Sequence, residues 1–211
     1  AQTVVDFFEP VNPFTEHSTI ATAHFTKTWT VEAEDLLSAI YSNEHLYPSE
    51  FEQRLNFKMN ALLTRNAERY YRTSAKNDAK SWNIRDEHMV EAINELRRFH
   101  GDDVKIIVWE HNTHIGDARA TTMTDEGMVN VGQLLREQYK KEDVYAVGFG
   151  THRGTVIAAN HWDDPFEVME VPPAKKESWE YFLHEAGAFN KILIFDDENR
   201  ADFHKWIGHR A

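Results

Sequence analysis

The spacing of apolar residues changes halfway along this chain. From Val31 onward, Leu36, Leu37, Ile40 and Tyr41 recur at three- and four-residue intervals behind a first turn crowded by Glu32, Glu34 and Asp35, which predicts a short helix. Pro48 and Ser49 open a second helical pattern in which Phe51, Leu55, Met59, Leu62, Leu63 and Tyr70 share one face to about residue 73. Its start, Ser49 to Glu52, has the form of a capping box, where serine and glutamate satisfy each other's free amides. A third helix is predicted from Ile84 to His100, with Met89, Ile93, Leu96 and Phe99 inward and Gly101 as its stop. Residues 1–28 carry Pro10 and Pro13 and no sustained period, so they read as an irregular arm.

Beyond Gly101 the pattern becomes one of short, β-branched runs: 104–109 (VKIIVW), 144–150 (VYAVGFG), 155–159 (TVIAA), 167–171 (EVMEV) and 191–195 (KILIF). Several are apolar throughout, as strands covered on both faces must be. A helical pattern from about Asp125 to Lys140 separates the first two, giving a strand-helix-strand unit. A further helix from Ser178 to about Ala186 precedes the last run, and Asn199 caps a final one. The expected architecture is therefore α/β, a mainly parallel sheet flanked by helices, with a helical N-terminal half. Residues 155–159 and 167–171 would add an antiparallel pair. Residues 29–211 form a single α/β domain on this reading.

Composition narrows the partners. The 211 residues hold 35 acidic against 23 basic side chains, a formal charge of -12, which repels a phosphate backbone or an anionic membrane face. Nucleic acid and membrane are therefore not expected partners. Cysteine is absent, which excludes thiolate catalysis and cysteine-ligated zinc and fits a reducing, cytoplasmic compartment. No window approaches the ~18 consecutive apolar residues of a spanning helix.

The chemistry concentrates in two polar clusters. Glu110, His111, Asn112, His114, Asp117 and Arg119 directly follow the run ending at Trp109, and Thr151, His152 and Arg153 follow the run ending at Gly150. In an open parallel sheet both would lie at carboxyl ends of strands, where ligands collect. The His-x-x-His spacing alone is weak, since a chain with 12 histidines shows one by chance roughly once. Three readings compete: a neutral histidine acting as general base on water, with Arg119 steadying an anion; His111, His114 and Asp117 ligating a divalent ion; or histidines that only cap loop amides.

The wording of the sequence adds a resemblance. Residues 108–121, VWEHNTHIGDARAT, look like the second-half signature of the erythromycin esterase-like family, which includes succinoglycan-biosynthesis-like members. AERYYR (67–72), SWNIRDEHM (81–89), VGFGTHRGTVIAA (147–159) and the Trp-Asp-x-Pro of 162–165 follow in the expected order. The resemblance covers about residues 50–211. It implies hydrolysis of an ester or lactone by activated water, with His111 and His114 lining the active-site cleft. The resemblance attributes the base that activates water to the histidine of a Gly-Glu-x-x-His-Gly motif from an earlier half of family members, and that motif does not occur in these 211 residues. The chain is therefore expected to correspond to a second-half fragment, with a homodimer as a candidate assembly.

On this reading His111 and His114 are the candidate catalytic residues. Glu110, Asn112, Asp117, Arg119 and His152 are the candidate substrate-binding residues. The resemblance calls for no metal or other cofactor. Asp117 and Arg119 would form a local ion pair that shapes the loop. Arg85, Asp86 and His88 could stand behind the main cluster, or simply begin a helix with polar residues. The alternative from another class is a binding module that recognises a metabolite or polysaccharide without chemistry.

Overall fold

In a computed structural model, residues 28–47, 51–74, 76–161, 164–187 and 189–199 are described. The irregular arm up to residue 27, the start of the Ser49 capping box, Trp162 and the helix expected after Asn199 lie outside these residues. The chain divides into two compact units, one up to Val147 and the other from Gly148.

Three helices carry the first unit: α1 (Thr30–Ser42), α2 (Phe51–Ser74) and α3 (Asp78–His100). Leu37 of α1 packs on Ala61 and Leu62 of α2, with Leu36 and Ile40 at the edge of the cluster. Burying each leucine fully contributes about 1.5–3 kcal/mol. The same interface buries a carboxylate. Glu68 of α2 has no exposed surface and accepts hydrogen bonds from Trp29 N, Thr30 Oγ1 and Arg72 Nε at 3.2, 3.0 and 2.7 Å. The free amides and positive end of the α1 dipole, together with a guanidinium, offset its loss of water.

Helix α3 begins earlier than its apolar period suggests, because Asn77 accepts from Lys80 N at 2.7 Å and caps it. Its end at His100, before Gly101 with φ of 96°, is where the sequence places it. The helix expected over 125–140 is instead interrupted. A 3-10 turn (Thr122–Glu126) stops at Gly127 in the left-handed region, with φ of 69°, and α5 (Val131–Gln138) starts anew behind Asn130. Between α3 and that turn lies α4 (Asn112–Ile115), a single helical turn.

In the second unit β1 (Gly154–Ala158) and β2 (Glu167–Val171) pair antiparallel, with Gly154 opposite Val171 and Ala158 opposite Glu167. Helix α6 (Trp179–Glu185) follows, capped by Ser178, whose hydroxyl accepts from Tyr181 N at 3.2 Å.

The expected α/β architecture with a mainly parallel sheet is overturned. The elements are mostly helical, and the sheet among the described residues is this two-stranded antiparallel hairpin. The runs 104–109, 144–150 and 191–195 form no strand, and Ile107 (91 %), Trp109 (86 %) and Ile192 (91 %) are widely exposed. The physical reason is that β-branched, apolar residues favour extended backbone but specify no partner, and a strand exists only where a ladder forms. Only 155–159 and 167–171 bring their own partner, since a short connection can fold one back on the other. No helix among the described residues is long and apolar enough to cross a membrane.

Candidate active site around His114 and Asp86

The polar turn after Trp109 is held by α3 and α5 through a set of specific contacts. Near the start of α3, Asn83 donates to Gly127 O at 2.9 Å and accepts from Val129 N at 2.8 Å, while Trp82 Nε1 donates to Val129 O at 2.7 Å. These bonds seat the chain entering α5 directly against α3. Asn130, 1 % exposed, then joins three segments. Its Oδ1 accepts from Gln133 N and Ala118 N at 3.0 and 3.2 Å, and its Nδ2 donates to Thr113 O at 2.8 Å. From the far side, Arg136 Nη1 donates to Gly116 O at 3.0 Å and Gly132 O at 2.8 Å, closing the carboxyl end of α4 with a cation. The turn carrying His111 and His114 is thus fixed at both ends, although α4 is too short to be stable alone.

This scaffold delivers His114 onto Asp86. His114 Nδ1 lies 2.8 Å from Asp86 Oδ1, and Asp86 is fully buried. Asp86 Oδ1 also accepts from Val131 N at 3.0 Å, the amide at the start of α5. The imidazole lies flat on Trp82, centroids 4.6 Å apart and planes 2° from parallel. Arg85 Nη2 stands 3.4 Å from His114 Nε2, and its guanidinium carbon sits 4.6 Å over the Trp82 ring. A guanidinium can only donate, so Nε2 accepts and the proton resides on Nδ1, facing the carboxylate. A carboxylate fixing the tautomer and ring plane of an imidazole is the arrangement that prepares Nε2 to take a proton.

The electrostatics of the two nearby acids are unusual. Burial pushes the Asp86 carboxyl above its ordinary value, opposed by its hydrogen bond to His114, by the Val131 amide and by the Arg85 charge. Burial likewise pushes Glu110 up, with His114 pulling it down and Asp86 adding to the rise. Asp86 Oδ2 and Glu110 Oε2 are both buried without a hydrogen-bond partner.

The other candidates are distributed as follows. His111 is exposed and caps α4, its Nδ1 lying 3.0 Å from Thr113 Oγ1 and 3.4 Å from Thr113 N. Asn112 opens α4, its carbonyl receiving Gly116 N at 3.1 Å. Asp117 and Arg119 form a two-pronged ion pair, Nε to Oδ1 at 2.9 Å and Nη2 to Oδ2 at 2.7 Å, with Glu137 a further 3.4 Å contact of Arg119. That pair holds Asp117 below the usual carboxylate range. His152 belongs to the second unit, where its ring stacks on His184 with centroids 3.8 Å apart. Among the described residues no three His, Cys, Asp or Glu side chains stand where they could hold a metal ion.

The residues that gather around His114 are therefore Asp86, Arg85, Trp82 and Glu110, and three of these come from α3, where the sequence pattern gave Arg85 and Asp86 only a supporting part. A signal was present. Asp86 lies four residues from both Trp82 and Val90, on the inward face of α3, where a charge without a partner would be costly. Asn130, Gly132 and Arg136 carry no such signal, because caps and close backbone approaches are set by tertiary contacts.

Comparison with known proteins places this geometry in context. No solved structure matches the chain. The family model described as erythromycin esterase matches residues 5–211, a span that includes every residue of the site. The protein accordingly belongs to the erythromycin esterase family, and a hydrolase-like reading of its site has that support.

Proposed function

We propose that this protein hydrolyses a carboxylic ester or lactone with water as the nucleophile and His114 as the group that takes the proton. The observation that carries the reading is the 2.8 Å contact between His114 Nδ1 and the fully buried Asp86. It leaves Nε2 as the basic nitrogen and gives the imidazolium formed on proton uptake a negative partner in a low-dielectric setting. Water attacks the carbonyl carbon as its proton passes to Nε2. The tetrahedral species then expels the alkoxide, which receives that proton. His111, exposed at the mouth of the same turn, orients the water or the substrate carbonyl. Trp109, 86 % exposed, offers an apolar surface next to it.

His114→Asn tests this role because the amide nitrogen of Asn can still donate toward Asp86 while Nε2 is gone. Turnover of a chromogenic ester is expected to fall by about 10²–10⁴, the range of a lost general base, with the melting temperature within a few degrees of the parent. His111→Ala is expected to lower turnover less, since only an orienting contact and a cap are removed. Wild-type rates in His114→Asn would eliminate the assignment.

A further inference from the structure

Arg85 is the feature of this site that packing does not explain. In a chain with 35 acidic side chains, no carboxylate among the described residues stands within ion-pair distance of it. Asp86, its neighbour in sequence, is engaged by His114 and Val131. The Arg85 guanidinium rests over the Trp82 ring, and its Nε is buried with no hydrogen-bond partner. Its one polar contact among the described residues is the long 3.4 Å approach of Nη2 to His114 Nε2. An arginine retained for packing would satisfy its donors on a carbonyl or carboxylate. Here a planar set of donors is held by stacking, uncommitted, beside the nitrogen that takes the proton.

We propose that Arg85 is the oxyanion-binding residue of the site: its Nη2–H, which rests against His114 Nε2, passes to the carbonyl oxygen of a bound ester and afterwards holds the carboxylate product. This inference rests on the hydrolase reading given above. The exchange has a physical direction, because a carbonyl oxygen that gains charge is a better acceptor than an imidazole nitrogen at 3.4 Å. It also frees Nε2 for water at the moment substrate arrives. The electron pair of the C=O π bond moves onto oxygen beside the guanidinium as the new C–O bond to water forms. When it returns, the C–O bond to the leaving alkoxide breaks, and the alkoxide takes the proton from Nε2. The carboxylic acid so formed gives its remaining proton to solvent and becomes the carboxylate, and nothing is oxidised or reduced. Trp82, under both His114 and Arg85, fixes the two groups side by side.

The test uses the whole 211-residue chain and two variants, Arg85→Gln and Arg85→Lys. Phenylphosphonate, a tetrahedral anion, is titrated while the NMR signals of the Trp82 indole and the His114 imidazole are followed. Arg85→Gln is expected to weaken its binding by about tenfold or more, and Arg85→Lys, which keeps the charge but loses the planar fork, by a smaller factor. With a neutral chromogenic ester, Arg85→Gln is expected to lower kcat by about 10²–10³ while KM stays within about twofold, the signature of a contact made in the transition state. Unchanged phosphonate binding in Arg85→Gln, or a raised KM at unchanged kcat, overturns the proposal. Turnover by the parent that ignores Arg85 would remove this inference and leave the hydrolase reading standing. Arg85-dependent phosphonate binding without ester turnover would overturn the hydrolase reading and the oxyanion role together, leaving Arg85 a residue that binds anions only.

Discussion

Asp86→Asn is expected to lower ester turnover by about 10³–10⁴ while leaving the fold intact, a loss of the size seen when the carboxylate behind a catalytic histidine is made neutral. The amide retains an Oδ1 that can accept from Val131 N and from His114 Nδ1, the two bonds now at 3.0 and 2.8 Å. What disappears is the negative charge facing the imidazolium. If the amide instead turns its nitrogen toward His114, Nδ1 becomes an acceptor and the proton moves to Nε2, which removes the base altogether. The melting temperature should change little, because the variant also removes a buried carboxylate one of whose oxygens has no partner. Asp86→Ala separates the structural part. It strands the Val131 amide and the His114 Nδ1–H in a buried position, and about 2–4 kcal/mol of stability should be lost with the activity. Thermal melts and ester turnover measured on both variants distinguish the two contributions. An Asp86→Asn protein with parental kcat would show that the carboxylate does nothing for the imidazole.

Gly132→Ala is the change expected to damage the protein most. A Cβ at this position would lie 1.9 Å from Gly116 O, 2.2 Å from Ile115 O and 2.5 Å from Ile115 C, all backbone atoms. None of these can rotate away, so α5 and the end of α4 would have to separate by more than an ångström. That separation would stretch the bonds by which Asn130 and Arg136 hold the turn, and with them the approach of His114 to Asp86. The expected cost is about 3–5 kcal/mol, in the range of severe overpacking, and a fall in melting temperature of roughly 10 °C or more for a chain of this size. Ester turnover should fall with it even at temperatures where the variant is folded. Calorimetry checks the first part and the residual rate the second. A melting temperature within about 2 °C of the parent would mean that the two helices are not held this close.

These two positions illustrate what the sequence discloses and what it withholds. The helical first half is legible because amphipathic spacing is a local property: Leu36, Leu37 and Ile40 on one helix and Leu62 on the next do pack on each other. The hairpin is legible because 155–159 and 167–171 lie close enough to pair. Among the described residues no parallel sheet forms, since apolar runs such as 104–109 encode extended backbone without encoding a ladder. Within the site, the turn bearing His111 and His114 is recognisable by its motif, and the Asp117 to Arg119 ion pair by proximity in sequence. Asp86 can be inferred only from a charge on an inward helix face. Gly132 and Asn130 reveal their roles only when α4 and α5 are in contact, a relation that no local pattern contains.

The most direct test of the central claim, that the Asp86–His114 pair activates water on an ester carbonyl, is hydrolysis in water enriched in oxygen-18. The account predicts that the chain releases acid and alcohol in equal amounts, with one heavy oxygen in the carboxylate and none in the alcohol, and that His114→Asn reduces this release to near the spontaneous rate. Release at the spontaneous rate by the parent chain, or full release by the His114→Asn variant, would contradict it.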